Sequence, residues 1–168
     1  HPGITAVACH LIGRLLHREI RSKGAAYGAE CEPLDGPAQV SFLSWRDPQI
    51  AATINTFRSA PEFLRNEVTD DLVARARVAA MSPLAAQEYE SNEDTATRGL
   101  HHILSNVKPE RLDRQRQEIM EVTRDDILRF ADILERALKE RGATVVYANR
   151  AQLERAISQG LDLEIIKR

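Results

Sequence analysis

The chain has 168 residues and is poor in cysteine, aromatic residues and long apolar runs. Its two cysteines, Cys9 and Cys31, are too few for a disulfide framework, and their apolar settings predict buried free thiols. No run of 18 apolar residues occurs, so the sequence predicts no membrane span. The net charge is −2 with no dense basic block, which argues against nucleic acid as a partner.

The sequence also lacks the motifs of several enzyme classes. A zinc peptidase needs two histidines one helical turn apart with a nearby glutamate, as in HExxH or HxxEH. None of the five histidines has another histidine four residues away, and His10 and His17 alone would be too few ligands. The phosphate-binding pattern GxxxxGK[ST] is absent too. The chain is therefore expected to bind no metal by itself.

The elements that are present predict one domain over residues 1–168, with 43% apolar residues to supply a core. The predicted helices are 4–22, a helix starting at Asp47 and Pro48, 69–81, 109–121, a helix from Thr123 to Gly142, and 150–158. The predicted strands are 25–33, 38–46 and a buried strand at 143–148, and residues 33–37 are predicted to form a turn. Residues 84–98 are predicted to be a loop or a short helix, and residues 99–107 a short apolar segment. Residues 161–166 are predicted to be a last strand or a tail.

This order predicts an α+β fold with helices packed on one face of a small, mostly antiparallel sheet. The sheet would be thin, so a further strand is expected ahead of residue 1. The chain begins with His1 rather than Met, which predicts a start inside a longer polypeptide.

One junction carries the candidate chemistry. Arg21 precedes Tyr27 by six residues, where the first predicted helix ends near Gly24 and the first strand begins. An arginine and a tyrosine held there can donate hydrogen bonds to a substrate carbonyl. An alternative stays open at this point: Arg21 could pair with a nearby acid, and Tyr27 could be a strand residue with its hydroxyl in water.

Specific motifs surround this junction. HREIRSKGAAYG spans residues 17–28 and SFLSWRDP spans 41–48, followed by FLR at 63–65, Ser-Pro-Leu at 82–84 and RLDRQRQEIMEVTRDDILRFA at 111–131. Together they closely resemble the presequence-protease branch of the pitrilysin/insulinase zinc metallopeptidases. The chain resembles the C-terminal-most of the four homologous domains of these clamshell enzymes.

The resemblance implies a LuxS/mitochondrial-processing-peptidase-like metallohydrolase domain that binds no zinc. Zinc would sit at an HxxEH site in the N-terminal half of the same polypeptide, so this chain alone would be inactive. By motif position, Arg21 and Tyr27 would be the catalytic residues that stabilise a peptide substrate and its transition state. The implied substrate-binding residues are Gly24, Ala25, Ala26 and Gly28. Ala25 departs from the two glycines usual in the family, and Trp45 replaces a common tyrosine.

Three functions are thus compared. The first is a site-completing, substrate-binding domain of a zinc metalloendopeptidase that degrades unfolded peptides. The second is a non-catalytic structural or assembly domain of the same superfamily. The third is a separate domain that captures peptides by strand addition. The sparse cysteines and the absence of a leader predict a cytoplasmic location, and the alanine- and arginine-rich composition suggests a bacterium.

Overall fold

The computed structural model of the chain describes residues 2–34, 39–86, 91–104 and 109–166. In order, the elements are α1 (Pro2–Leu16), a π-helix (His17–Lys23), β1 (Gly28–Leu34), β2 (Gln39–Trp45), α2 (Ile50–Asn66), α3 (Asp70–Ala86), α4 (Asn92–Leu104), α5 (Pro109–Glu121), α6 (Arg124–Glu140) and α7 (Arg150–Ser158). No helix within these ranges combines the length and apolarity needed to cross a bilayer.

Helix α1 lies at the centre of the domain and packs against β1, α2, α3, α5 and α6. Its apolar side chains therefore meet protein on several sides, and seven of them are at most 4% exposed: Val7, Ala8, Cys9, Leu11, Ile12, Leu15 and Leu16. Burying one leucine-sized side chain stabilises a fold by about 2 kcal/mol. Gly3 allows the close approach of α5, because a Cβ there would lie 2.6 Å from the Cβ of Glu118.

Strands β1 and β2 form an antiparallel hairpin whose pairs run from Gly28 opposite Trp45 to Leu34 opposite Gln39. Cys31 and Phe42 on this hairpin pack against the main core. The Phe42 ring also lies 5.2 Å from the ring of Phe57 on α2. The α+β fold class and the hairpin predicted from the sequence are confirmed, although β1 begins at Gly28 rather than at residue 25. Of the predicted turn, residues 35–37 lie outside the described ranges.

Helix α6 begins and ends as its sequence predicts. The Thr123 hydroxyl accepts a hydrogen bond from the Asp126 N–H, and the Asp126 carboxylate accepts one from the Thr123 N–H. This reciprocal cap satisfies amide groups that have no partner inside the helix. Arg65 on α2 then joins the two helices, since its guanidinium lies 2.7 Å from Asp132 and 2.6 Å from Glu135.

The predicted buried strand at 143–148 is wrong. This segment has no strand geometry, and Val145 and Tyr147 are 75% and 84% exposed. Within the described ranges no strand lies beside it, so one side of its apolar pattern faces solvent. Val146 instead packs on a small second cluster formed with α2, α7 and the segment after α7. Residues 161–166 form no strand either, which leaves the predicted alternative of a tail.

Several helix boundaries also differ from those predicted. Helix α2 begins at Ile50 rather than at Pro48, because the Asp47 carboxylate accepts a hydrogen bond from the Gln49 N–H at 2.8 Å in a local turn. Helix α3 continues through Pro83 to Ala86, beyond its predicted end at residue 81.

Of the segments predicted at 84–98 and 99–107, residues 84–86 end α3 and residues 92–104 form one helix, α4. Ser91 caps α4, with its hydroxyl accepting a hydrogen bond from the Asp94 N–H at 3.1 Å. The helix then runs through Gly99 to Leu104. Residues 87–90 and 105–108 lie outside the described ranges.

Candidate functional site at the helix–hairpin junction

Arg21 lies near the end of the π-helix with its side chain exposed. The basic residues around it are already paired. Arg18 lies 2.7 Å from Glu67 and 2.7 Å from Glu19, and Lys23 lies 2.8 Å from Glu19. Across the described residues, no hydrogen bond or ion pair involves the Arg21 guanidinium. The alternative in which Arg21 pairs with a nearby acid therefore finds no support in this part of the chain.

The paired carboxylates stay ionised. Hydrogen bonds from Lys23 and then Arg18 lower the pKa of Glu19. A hydrogen bond from Arg18 likewise lowers the pKa of Glu67. Arg18, Lys23 and Glu67 are exposed and Glu19 is partly exposed, so the pairs are weak and sensitive to salt. They nevertheless engage Glu19, the acid closest in sequence to Arg21, and leave the Arg21 charge available to another partner.

Gly24 and Ala25 reverse the chain between the π-helix and β1. The N–H groups of Gly24 and Ala25 donate to the Arg21 carbonyl, and the Ala26 N–H donates to the Ile20 carbonyl at 3.1 Å. A Cβ at Gly24 would lie 2.5 Å from the Ile20 carbonyl oxygen, which explains the glycine at this helix end. Ala25 has a φ of 61°, a left-handed conformation that favours glycine. These bonds fix the backbone of Arg21 relative to the start of β1.

Tyr27 immediately precedes β1 and is 64% exposed. Its hydroxyl has no hydrogen-bond partner among the residues that the structure describes. The ring does have a neighbour, since the Arg46 guanidinium carbon lies 5.0 Å from its centroid. This distance is within the range of a cation–π contact.

Gly28 follows Tyr27 and lies beneath the Trp45 ring. A Cβ on Gly28 would overlap that ring, so only glycine lets the indole cross the strand at this point. Trp45 is the cross-strand partner of Gly28 and is 38% exposed. The indole thus covers the backbone directly after Tyr27.

The four predicted substrate-binding residues differ in exposure. Ala25 is exposed and Gly24 is half-buried, whereas Ala26 is 5% exposed and belongs to the main core. Gly28 is buried by Trp45. A bound peptide would therefore have to use Ala25 and backbone groups of this turn rather than the Ala26 side chain.

Two further residues at the junction were not identified from the sequence. Arg46 contacts the Tyr27 ring, and the Gln49 side-chain amide donates to the Gly24 carbonyl at 3.4 Å. The motif SFLSWRDP contains Arg46, but only the pairing of Gly28 with Trp45 brings this arginine beside Tyr27. No sequence spacing pointed to Gln49.

The described residues contain no cluster of three histidine, cysteine or carboxylate side chains arranged for a metal ion. Burial lowers the pKa of His10, while the His17 ring nitrogen Nδ1 lies 3.5 Å from the Ser22 hydroxyl. Cys9 and Cys31 are free thiols with their sulfur atoms 3.2 Å apart; Cys9 is buried as predicted, whereas Cys31 is half-buried. The donor set in this part of the chain does not fit zinc.

The fold and the junction define a class: an α+β domain that presents an exposed arginine and tyrosine where a helix passes into a hairpin. The family described as the PreP C-terminal domain matches residues 1–150. The chain belongs to this family, and the resemblance inferred from its motifs is confirmed.

Its relatives are presequence proteases. The mitochondrial presequence protease of Eremothecium gossypii is 34% identical over 132 residues, covering 77% of this chain and 13% of that protein. The mitochondrial presequence protease of Xenopus laevis is 29% identical, covering 70% of this chain and 11% of that protein. Presequence protease 1, chloroplastic/mitochondrial, of Arabidopsis thaliana is 24% identical, covering 89% and 14%. The chain thus spans about one eighth of these relatives.

The prediction of a cytoplasmic, bacterial protein is wrong by this comparison. The relatives are eukaryotic proteins named as mitochondrial or as chloroplastic and mitochondrial. Sparse cysteines do not distinguish among reducing compartments.

Proposed function

We propose that this chain is the substrate-binding, site-completing C-terminal domain of a zinc metalloendopeptidase that degrades unfolded peptides. The observation that supports this most directly is the state of Arg21 and Tyr27. Both are exposed, and neither their guanidinium nor their hydroxyl has a hydrogen-bond partner in the described ranges. The turn between them, at Gly24 to Ala26, is fixed by backbone hydrogen bonds to the Ile20 and Arg21 carbonyls. Two side-chain hydrogen-bond donors are thus carried on a fixed backbone and are available to a ligand.

Membership of the PreP C-terminal domain family supports the peptidase part of the proposal. Because the described residues do not fit zinc, the proposal assigns the HxxEH site and its zinc to an N-terminal half of the same polypeptide. Zinc bound there would supply an activated water and polarise the scissile carbonyl. This chain alone is then expected to be inactive.

Tyr27 and Arg21 of this chain would act by hydrogen bonding to carbonyl oxygens of the peptide substrate. As the attacking water adds to the peptide bond, negative charge grows on the carbonyl oxygen. The Tyr27 hydroxyl would donate a hydrogen bond to that oxygen. The Arg21 guanidinium would donate to a neighbouring backbone carbonyl and hold the peptide extended. Removing one such donor raises the barrier by about 3 kcal/mol, or roughly a hundredfold in rate.

The test replaces Tyr27→Phe and Arg21→Ala separately in the longer polypeptide that contains this chain. We expect each variant to cut kcat/KM on an unstructured peptide by roughly a hundredfold, because each removes a hydrogen bond strengthened in the transition state. Bound zinc, measured by metal analysis, should not change, because neither residue would be a ligand.

Matched controls use the same substitutions at other exposed sites. Tyr147→Phe and Arg141→Ala change exposed side chains on the segment after α6, outside the junction. Phenylalanine keeps the apolar ring of Tyr147 for any contact with the rest of the polypeptide, so both variants should leave turnover unchanged. Near-normal turnover of both junction variants would remove their assigned roles and favour the non-catalytic assembly domain. A parallel loss in the control variants would indicate a general effect on folding.

A further inference from the structure

Arg46 faces Tyr27, the residue proposed to donate a hydrogen bond to the substrate carbonyl oxygen. It directly follows Trp45, which pairs with Gly28 at the end of the hairpin ladder. Tyr27 and Arg46 are therefore the next residues beyond the last pair, on opposite strands. Their side chains meet there, with the guanidinium carbon 5.0 Å from the centroid of the Tyr27 ring.

The backbone at this end of the hairpin is unusual on both strands. Ala25 and Arg46, with φ values of 61° and 49°, are the non-glycine residues with positive φ among those described. One lies two residues before Tyr27 and the other is opposite it. Strained backbone of this kind persists only where surrounding contacts hold it, and it is common at binding sites.

Contacts on the far side of Arg46 hold its backbone. The Asp47 carboxylate accepts a hydrogen bond from the Gln49 N–H at 2.8 Å, which fixes the turn after Arg46. The Gln49 side chain in turn donates to the Gly24 carbonyl at 3.4 Å, which ties this turn to the one before Tyr27. In the described part of the chain the Arg46 guanidinium has no carboxylate partner, and it lies over the Tyr27 ring instead.

We infer that Arg46 is a positioning residue: its guanidinium holds the Tyr27 ring by a cation–π contact so that the hydroxyl points to the substrate carbonyl. The inference rests on the proposed function of Tyr27. Without Arg46, the exposed ring would lose its one charged neighbour and sample more rotamers. Arg46 would touch neither the substrate nor the metal.

The experiment uses the longer polypeptide with 3-fluorotyrosine at position 27, observed by fluorine NMR. Arg46→Met removes the charge but keeps an unbranched side chain, and Arg46→Lys keeps a cation. We expect Arg46→Met to shift or broaden the fluorine resonance and Arg46→Lys to return it towards the parent position. An unchanged resonance in Arg46→Met would overturn the inference.

Kinetics of unlabelled protein supply the second arm. We expect Arg46→Met to lower kcat/KM by about two- to fivefold, the range of an exposed cation–π contact, and Arg46→Lys to recover most of it. In a Tyr27→Phe background, Arg46→Met should have no further effect, because the hydroxyl it positions is gone. An equal loss in both backgrounds would contradict positioning.

The two arms separate failure of this inference from failure of the proposed function. If Tyr27→Phe retains full activity, the proposed function fails, and the fluorine resonance still decides whether Arg46 holds the ring. If Tyr27→Phe lowers kcat/KM but Arg46→Met leaves the fluorine resonance unchanged, only the inference about Arg46 fails.

Discussion

At the scale of single residues, the junction depends on two left-handed positions and two crowded glycines. Gly24 and Gly28 have no space for a Cβ, because a carbonyl oxygen and the Trp45 ring occupy it. Ala25, by contrast, has a methyl group on a backbone that favours glycine, with a φ of 61°. The turn that precedes Tyr27 therefore carries a conformational free-energy cost at Ala25, which a single substitution can remove.

We predict that Ala25→Gly stabilises the chain. A left-handed alanine costs about 1–2 kcal/mol, part of which glycine gives back as greater chain entropy in the unfolded state. The expected net increase in the free energy of unfolding is about 0.5–1 kcal/mol, measured by urea denaturation.

The matched control is Ala52→Gly, at an exposed position inside α2. There the same substitution should destabilise by about 1 kcal/mol, because glycine is a poor helix former. A loss of stability for Ala25→Gly similar to that of Ala52→Gly would show that residue 25 is not in the left-handed conformation.

At the scale of elements, α1 and the π-helix together form the support of the junction. The buried face of α1 fixes its position against four helices and β1. The helix then widens to the π form at His17–Lys23, which carries Arg21, before Gly24 ends it. Wide helical turns of this type are common at functional sites.

The cap of α6 gives a pH-dependent prediction. Hydrogen bonds from the Thr123 hydroxyl and N–H lower the pKa of Asp126 in the folded state. A lowered folded-state pKa means that this carboxylate stabilises the fold above its unfolded pKa of about 4, and that the contribution is lost as pH falls below it. Asp126→Asn should therefore cost about 1 kcal/mol at pH 7.

Urea denaturation at pH 7 and near pH 3 measures this, with Asp125→Asn as the control. Asp125 is in the same first turn of α6 and is exposed, so it should show a smaller loss at pH 7. The difference in the free energy of unfolding between the parent and Asp126→Asn should become smaller at the lower pH. A difference that stays constant or widens there would contradict the assigned cap.

The sequence predicts those elements whose signals are local. The helix after Thr123 follows from its cap and its apolar period, and the hairpin follows from alternation in β2. The segment 143–148 could not be judged in this way, since a short apolar run becomes a strand only when a partner strand lies beside it. The contact of Arg46 with Tyr27 could not be predicted for a related reason. It depends on the register between β1 and β2 and on the positive φ of Arg46, and neither is a local signal in the sequence.

At the scale of the whole molecule, the described residues leave groups of apolar side chains exposed on α4 and on the segment after α6. On α4, Leu100, Ile103 and Leu104 are 57%, 78% and 77% exposed, and the segment after α6 exposes Val145 and Tyr147. Apolar residues grouped in this way are typical of surfaces that contact other protein. This agrees with the proposal that the chain acts beside a larger part of the same polypeptide.

The central claim is that Arg21 and Tyr27 reach a peptide cut by zinc bound elsewhere. The most direct measurement is an experimental structure of the longer polypeptide with an uncleaved peptide at its zinc centre. The account predicts the Tyr27 hydroxyl oxygen about 3 Å from a peptide carbonyl oxygen, with the Arg21 guanidinium on a neighbouring backbone carbonyl. A peptide seated at the zinc with both side chains beyond hydrogen-bond reach would contradict it.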